Sequence, residues 1–352
     1  MARIFLDNYY MLGGGLVASL RPGMQDVSQD HYNAYTQIPC VLRFEKSNSS
    51  TTDSVTVTLT ELSSGNSAAV NILFGTQKTQ YCDITEILRC WQVRLLPSGS
   101  LARTCTRWLL NIEEFDANGD SLGDRDISLY AYDAREPQDA KCDTPLPDTF
   151  RMLADVYLAN WETVCARATE GACNVKIYNQ SGTLLQSFPG DPGDLYTAGC
   201  KLTYNALSTP SLVTVGNVNE YTARIVWEKC ATDKAMLRWW SPTCGGYKSV
   251  AVELRGIREE AAGSAAYIKF FDDVWAAAGR DGLKARIPLC TMRDAAYYRD
   301  IFISDEVEML WDTGVYQYGK RVRVTGAAPD VSPNGTADID MFIQLSEVSS
   351  LW

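Results

Sequence analysis

The feature that most limits what this chain can fold into is a short rhythm of alternating apolar and polar residues, broken again and again by turn formers. Ser54-Val55-Thr56-Val57-Thr58-Leu59 shows it plainly; the turn Ser63-Ser64-Gly65-Asn66-Ser67 follows, and Ala69-Val70-Asn71-Ile72-Leu73-Phe74 returns. A period of two puts every second side chain on one face, as a half-buried strand requires. The same rhythm recurs at Trp108–Ile112, Ile127–Tyr132, Asn174–Tyr178, Tyr221–Trp227, Val250–Leu254, Val307–Trp311, Lys320–Val324 and Ile339–Leu345. Helical signals are confined to two places. Asp83-Ile84-Thr85-Glu86 reads as a short helix start, and Met292 to Phe302 places Tyr298, Ile301 and Phe302 on one face. The chain is therefore predicted to be mainly β.

One stretch stands out within that rhythm. Ala235-Met236-Leu237-Arg238-Trp239-Trp240 and Tyr247-Lys248-Ser249-Val250 flank a turn of Ser241-Pro242-Thr243-Cys244-Gly245-Gly246. Two apolar, aromatic-rich arms around paired glycines predict a β-hairpin. Adjacent tryptophans on a strand point to opposite faces, so one is expected in the core and the other outside or at a contact. Trp239, Trp240, Gly245, Gly246 and Tyr247 are thus the candidate subunit-contact residues, against the plainer reading of a core hairpin.

At 352 residues the chain is long for a single core. The expected layout is an N-terminal arm (1–38), a β-sandwich-like domain (39–135) and a linker rich in proline (136–148). A second β-sandwich-like domain with the aromatic hairpin (149–257) and a small α+β C-terminal domain, a helix laid on a sheet (258–352), complete it.

The formal charge is −11, which argues against gripping nucleic acid or an anionic membrane; it suits a surface that repels DNA, such as the wall of a conduit, and an ordinary soluble bacterial protein equally well. The eleven cysteines have irregular spacing and form no C-x-x-C pair, so reduced, core-filling thiols are expected rather than disulfides or a zinc site. The opening Met1-Ala2-Arg3-Ile4-Phe5-Leu6 is cut by Asp7-Asn8 and does not read as a signal peptide, and no apolar run approaches membrane-spanning length.

Chemistry is hard to place. His31 is the single histidine, in a stretch expected to be irregular, so a Ser-His-Asp or Cys-His site has weak support. Gly245-Gly246-Tyr247-Lys248 lacks the spacing of a phosphate loop. Asp116-Ala117-Asn118-Gly119-Asp120-Ser121 alternates oxygens like a calcium loop, but its glycine comes early and Ile127 stands where the bidentate Glu belongs, so a hairpin turn is expected. Asp272-Asp273 or Asp338 with Asp340 could line a glycosidase cleft, though solvated turns are the plainer reading. Trp91, Trp108, Trp161, Trp227, Trp239, Trp240 and Trp311 are too many to single out a sugar platform. Asn48-Ser49-Ser50 and Asn334-Gly335-Thr336 match the glycosylation triplet and, without a leader, carry no weight. No catalytic residue, cofactor or metal is expected.

Leu237-Arg238-Trp239-Trp240 followed by Gly245-Gly246-Tyr247, after the lead-in Cys230-Ala231-Thr232-Asp233, resembles tail proteins of prophages of gut Bacteroidetes. The C-terminal order is similar too: a helix, Ser304-Asp305-Glu306-Val307, a tryptophan-bearing strand, a hairpin and a last alternating strand. The resemblance implies a structural virion protein of the distal-tail or baseplate kind, a ring of copies around a channel. Its partners would be itself and other tail proteins, with DNA only as passing cargo and no membrane insertion. Its location would be the virion tail, assembled in the bacterial host cytoplasm. The alternatives are a carbohydrate-binding adhesion protein, which would bring in a host glycan, and a glycoside-active enzyme.

Overall fold

The computed structural model describes residues 10–11, 16–20, 24–28, 31–46, 50–92, 94, 102–103, 105–135, 146–154, 163–168, 175–188, 196–201, 204–215, 221–229, 231–243, 245–261, 264–268, 280–312 and 317–345. The chain is mainly β, with several sheets and little helix. It divides into two compact units. The first comprises 1–94 with 104–137, and the second comprises 95–103 with 138–352.

In the first unit the strands are β1 (Tyr10–Met11), β2 (Leu16–Leu20), β3 (Met24–Ser28), β4 (His31–Tyr35), β5 (Val41–Lys46), β6 (Ser54–Glu61), β7 (Ser67–Leu73) and β8 (Thr79–Asp83). Helix α1 (Thr85–Cys90) follows; β9 (Ala102–Arg103) belongs to the second unit, and β10 (Cys105–Phe115) and β11 (Ser121–Tyr132) complete the first. A four-stranded sheet, β1-β2-β5-β8, and a six-stranded one, β3-β4-β11-β10-β6-β7, share one core. The alternation seen in the sequence builds it. Val55, Val57 and Leu59 of β6 point inward with Trp108, Leu110 and Ile112 of β10, while the threonines between face out. Leu42 and Phe44 of β5 meet them from the other sheet.

Two expectations meet the structure here. The helix start is present, but the capping role of Asp83 is corrected: Ile84 holds the cap position without a side-chain cap bond, and Asp83 Oδ1 instead accepts the Thr85 N–H at 2.9 Å from one residue further out. The Asp116 loop is the β10–β11 hairpin turn. Asp116 Oδ1 accepts the N–H groups of Asn118 (2.8 Å) and Asp120 (2.9 Å), and Gly119 takes φ +85°. The N-terminal arm is corrected. Residues 31–35 form a strand parallel to β11, with His31 opposite Ser128 and Tyr35 opposite Tyr132, and Ala34 enters the core. A run as polar as His31-Tyr32-Asn33 has no alternation to show, because its backbone bonds to β11 place it.

The second unit adds β12 (Thr149–Ala154), β13 (Thr163–Ala168), β14 (Val175–Asn179), β15 (Leu184–Phe188), β16 (Tyr196–Lys201), β17 (Pro210–Val215), β18 (Tyr221–Lys229), β19 (Lys234–Ser241), β20 (Gly246–Ala261), β21 (Ser264–Ile268) and β22 (Arg280–Cys290). Helix α2 (Met292–Tyr298) runs into a 3-10 turn (Arg299–Phe302), followed by β23 (Val307–Asp312), β24 (Gln317–Gly326) and β25 (Ala337–Leu345). β12-β18-β17-β14-β15 form one sheet and β13-β16-β9 another. The largest sheet closes on itself. β19 pairs with β23, β23 with β24, β24 with β25, β25 with β22, β22 with β20, and β20 again with β19. Six antiparallel strands thus make a barrel, with β21 appended to β20.

This closure corrects the expected boundary at 257/258. That cut runs through β20, which Gly256 at φ +138° lets bend so that its two halves serve different neighbours. One core runs from Phe150, Val175, Val213 and Ile225 into Trp239, Val250, Ile287 and Ile343. The second and third expected domains are therefore a single compact unit, and α2 with its 3-10 turn buries Tyr297, Tyr298 and Ile301 in the same core.

Candidate functional site

The aromatic hairpin lies in the barrel wall as β19 and β20. Its register sets Trp239 opposite Lys248, Trp240 opposite Tyr247 and Ser241 opposite Gly246. Gly245 turns the chain at φ +71°, and its N–H reaches Ser241 O at 2.7 Å. Directly opposed residues share a face, so the hairpin carries two distinct sets of side chains.

On the face of Trp239 the barrel meets the 3-10 turn. Asp300, 2% exposed, is held by three donors. Trp239 Nε1 donates to Oδ1 at 2.9 Å, while Ser241 Oγ and Lys248 Nζ both donate to Oδ2, the lysine at 2.9 Å. Lys248 is also 2% exposed, donates to Tyr297 O at 2.7 Å and lies 4.0 Å from the Tyr297 ring centre. Buried charges survive only when paired and hydrogen-bonded, and both members here are.

On the face of Trp240 the polar groups turn to the segment before β23. Tyr247 packs edge-on against Trp240 (5.2 Å) and donates its hydroxyl to Glu306 Oε1 at 2.8 Å. Burial, and next the carboxylate that accepts its proton, push the Tyr247 hydroxyl far above its ordinary range, so it remains a donor. Arg238 binds Glu308 and lies over the Tyr247 ring. Ser304 Oγ donates to Trp240 O at 2.7 Å, and the Trp240 N–H reaches Glu306 O at 3.0 Å.

Both tryptophans are therefore buried, at 0% and 1% exposure, and Tyr247, Gly245 and Gly246 are buried with them. The expectation that one of the pair faces outward is corrected. Period two does send them to opposite faces, but each face of this barrel wall is covered, one by the 3-10 turn and the other by Tyr247. Sequence reading brought the hairpin residues together correctly and missed their partner. Asp300 is 52 residues from Lys248, and nothing local ties them. A signal did exist: a lysine inside the apolar strand Tyr247–Val252 needs an acid somewhere.

A second buried acid fixes the other end of this element. Asp294 completes a capping box with Thr291 and also accepts the N–H groups of Asp148 (2.8 Å) and Thr149 (3.0 Å). Arg293 answers by donating to Leu146 O and Asp148 Oδ1. The 146–149 segment is thus fastened to α2 by its backbone.

The remaining candidates fall elsewhere. Asp338 is committed to Arg286 and to the Leu289 N–H (2.9 Å), bonds that hold its carboxyl below the usual range, while Asp340 is exposed. Asp272 and Asp273 lie outside the described residues, as do Trp161 and the side chains of His31 and Trp311. Trp108 is buried, Trp91 packs against it at a tilt with ring centres 5.5 Å apart, and Trp227 donates to Pro210 O and contacts Tyr204. Burial pushes the Cys40 and Cys290 thiols up to about 12 and Cys82 to about 11. Among the described residues no group of three or more His, Cys, Asp or Glu could hold a metal, and no helix is long and apolar enough to cross a membrane.

No family model matches the chain, and no curated protein matches it. Among solved structures it is similar to the tetra-tandem repeat in the extending region of a large adhesion protein, at 10% identity and a TM-score of 0.23, over 79% of this chain and 71% of that one. So low a score carries no argument about fold or role.

Proposed function

We propose that this chain is a structural protein of a bacteriophage tail tip or baseplate, assembling with copies of itself as a ring around a channel and working without catalysis. The observation that carries the reading is where its polar chemistry goes. Lys248, Asp300, Ser241, Arg238, Glu306 and Glu308 are bonded to groups of the same barrel, welding the hairpin to residues 300–308. Such an arrangement suits a subunit that must hold its shape under load. The net charge of −11 would let DNA pass along a lumen without sticking, and the likeness of the hairpin to prophage tail proteins points the same way. In this reading the aromatic pair stiffens the subunit from within and is not itself the surface that meets a neighbour. Virion location and assembly in the host cytoplasm follow from the reading.

Light scattering after size exclusion, with electron microscopy of the pure chain and of the chain co-expressed with neighbouring tail proteins, tests it. A closed ring is expected; a strict monomer in both preparations would refute it. A glycan array that lit up one sugar class would move the protein to the adhesion reading instead.

A further inference from the structure

We propose that Lys248 and Asp300 join in an intramolecular amide, a covalent staple between β20 and the 3-10 turn that closes the barrel wall. The inference does not depend on the tail reading. The two reacting groups are already in contact, Nζ lying 2.9 Å from Oδ2, in a site where each residue is 2% exposed. Aromatic rings surround them: Lys248 lies over Tyr297, and Trp239 packs against Tyr298 at 6.2 Å. The step begins with one proton crossing this hydrogen bond, from Nζ to Oδ2, which leaves an amine facing a carboxylic acid. Held at contact distance, such a pair has the high effective concentration that turns a slow condensation into a unimolecular step.

Each atom of the step has its partner. The Nζ lone pair adds to Cγ, and the carbonyl electron pair moves onto Oδ1, where the Trp239 N–H, 2.9 Å away, holds the oxyanion. Oδ2 is the leaving oxygen. Ser241, already donating to it, passes its own proton there and takes one from Nζ, and as the C–Oδ2 bond breaks one water departs. Ammonium and carboxylate have then become an amide and water, with no other reactant consumed. The product's needs are met in advance: its one N–H keeps Tyr297 O, now at 2.7 Å, and its carbonyl keeps Trp239. Burial then shields the bond from hydrolysis.

Intact mass of the full-length chain, denatured and reduced, tests for the staple, with a tryptic digest to place the change. The expected mass is one water below that of the sequence. The expected digest holds a branched peptide joining 239–255, uncut after Lys248, to 300–320. Full sequence mass with separate peptides 239–248 and 249–255 would overturn the proposal, as would a water loss located at any other residue. Lys248→Arg should restore the full mass, and Ser241→Ala should lower the linked fraction at a given age of sample. If Lys248→Arg does not fold, the wild-type mass and digest still distinguish a linked chain from an unlinked one.

Discussion

The sandwich core of the first unit and the barrel of the second are both built from alternating strands, yet they are fastened differently. The first is closed by apolar faces meeting across two sheets, Val55, Val57 and Leu59 against Trp108, Leu110 and Phe44. Its buried acids are held close to strand ends and turns: Glu61 accepts from Ser63 and Ser64, Glu114 from Thr52, and Asp133 pairs with Arg94. The barrel adds a sealed ion pair and a second buried acid, each tying a helical segment to strands far away in sequence. An apolar core loses stability in proportion to what is removed, whereas a sealed pair fails abruptly when one member goes, because the other is left charged and alone.

That contrast can be broken most directly at Asp300. Asp300→Ala strands Lys248 and removes the acceptor of Trp239 and Ser241, so a loss of about 4 kcal/mol is expected in denaturant unfolding. The counterpart in the first unit, Leu59→Ala, should cost about 3 kcal/mol by cavity formation alone, and Leu59→Met much less. If Asp300→Ala costs no more than a surface change, the barrel is not held through Lys248 and Asp300, as ions or as an amide, and the contrast fails.

Gly326→Ala sharpens the picture of the 3-10 turn's seat. Gly326 sits at φ +151°, and a Cβ there would come within 2.8 Å of both Asp340 O and the Phe302 ring. A loss of about 2 kcal/mol is expected, with faster amide exchange along β24 as the local readout.

The smallest effect should come from Glu61. Burial opposes its ionisation, but the Ser63 and Ser64 hydroxyl and N–H donors prevail and hold its pKa at about 2. Because the folded value lies below the unfolded one, this stabilisation is complete above about pH 5 and is lost as pH falls toward 2. Glu61→Gln should therefore cost about 1 kcal/mol at pH 7, after allowance for solvent screening beside an exposed turn, and progressively less as pH falls through about 2. Paired urea titrations at the two pH values check it; a difference that persists undiminished at low pH would show that the turn is held by packing.

Much of the first unit was legible because strand alternation, the Asp83 helix start and the Asp116 turn are written within a few residues of where they act. The arm at 31–35 was not, since a strand fixed by parallel backbone pairing needs no side-chain pattern. In the second unit the hairpin was legible and its burial was not. Trp239 and Trp240 look alike on either side of a strand, and only the arrival of the 3-10 turn and the edge of Tyr247 decides that neither faces water.

Taken alone, the amino-acid sequence determined the β character of this protein, the positions of its hairpin turns, and its acidic balance. Each depends on neighbours a few positions apart or on a simple sum. The tertiary structure alone decided that six strands close into a barrel across the expected domain boundary, and that Lys248 meets Asp300 inside it. Barrel closure and charge pairing depend on which distant segments share the space, and local patterning does not encode that.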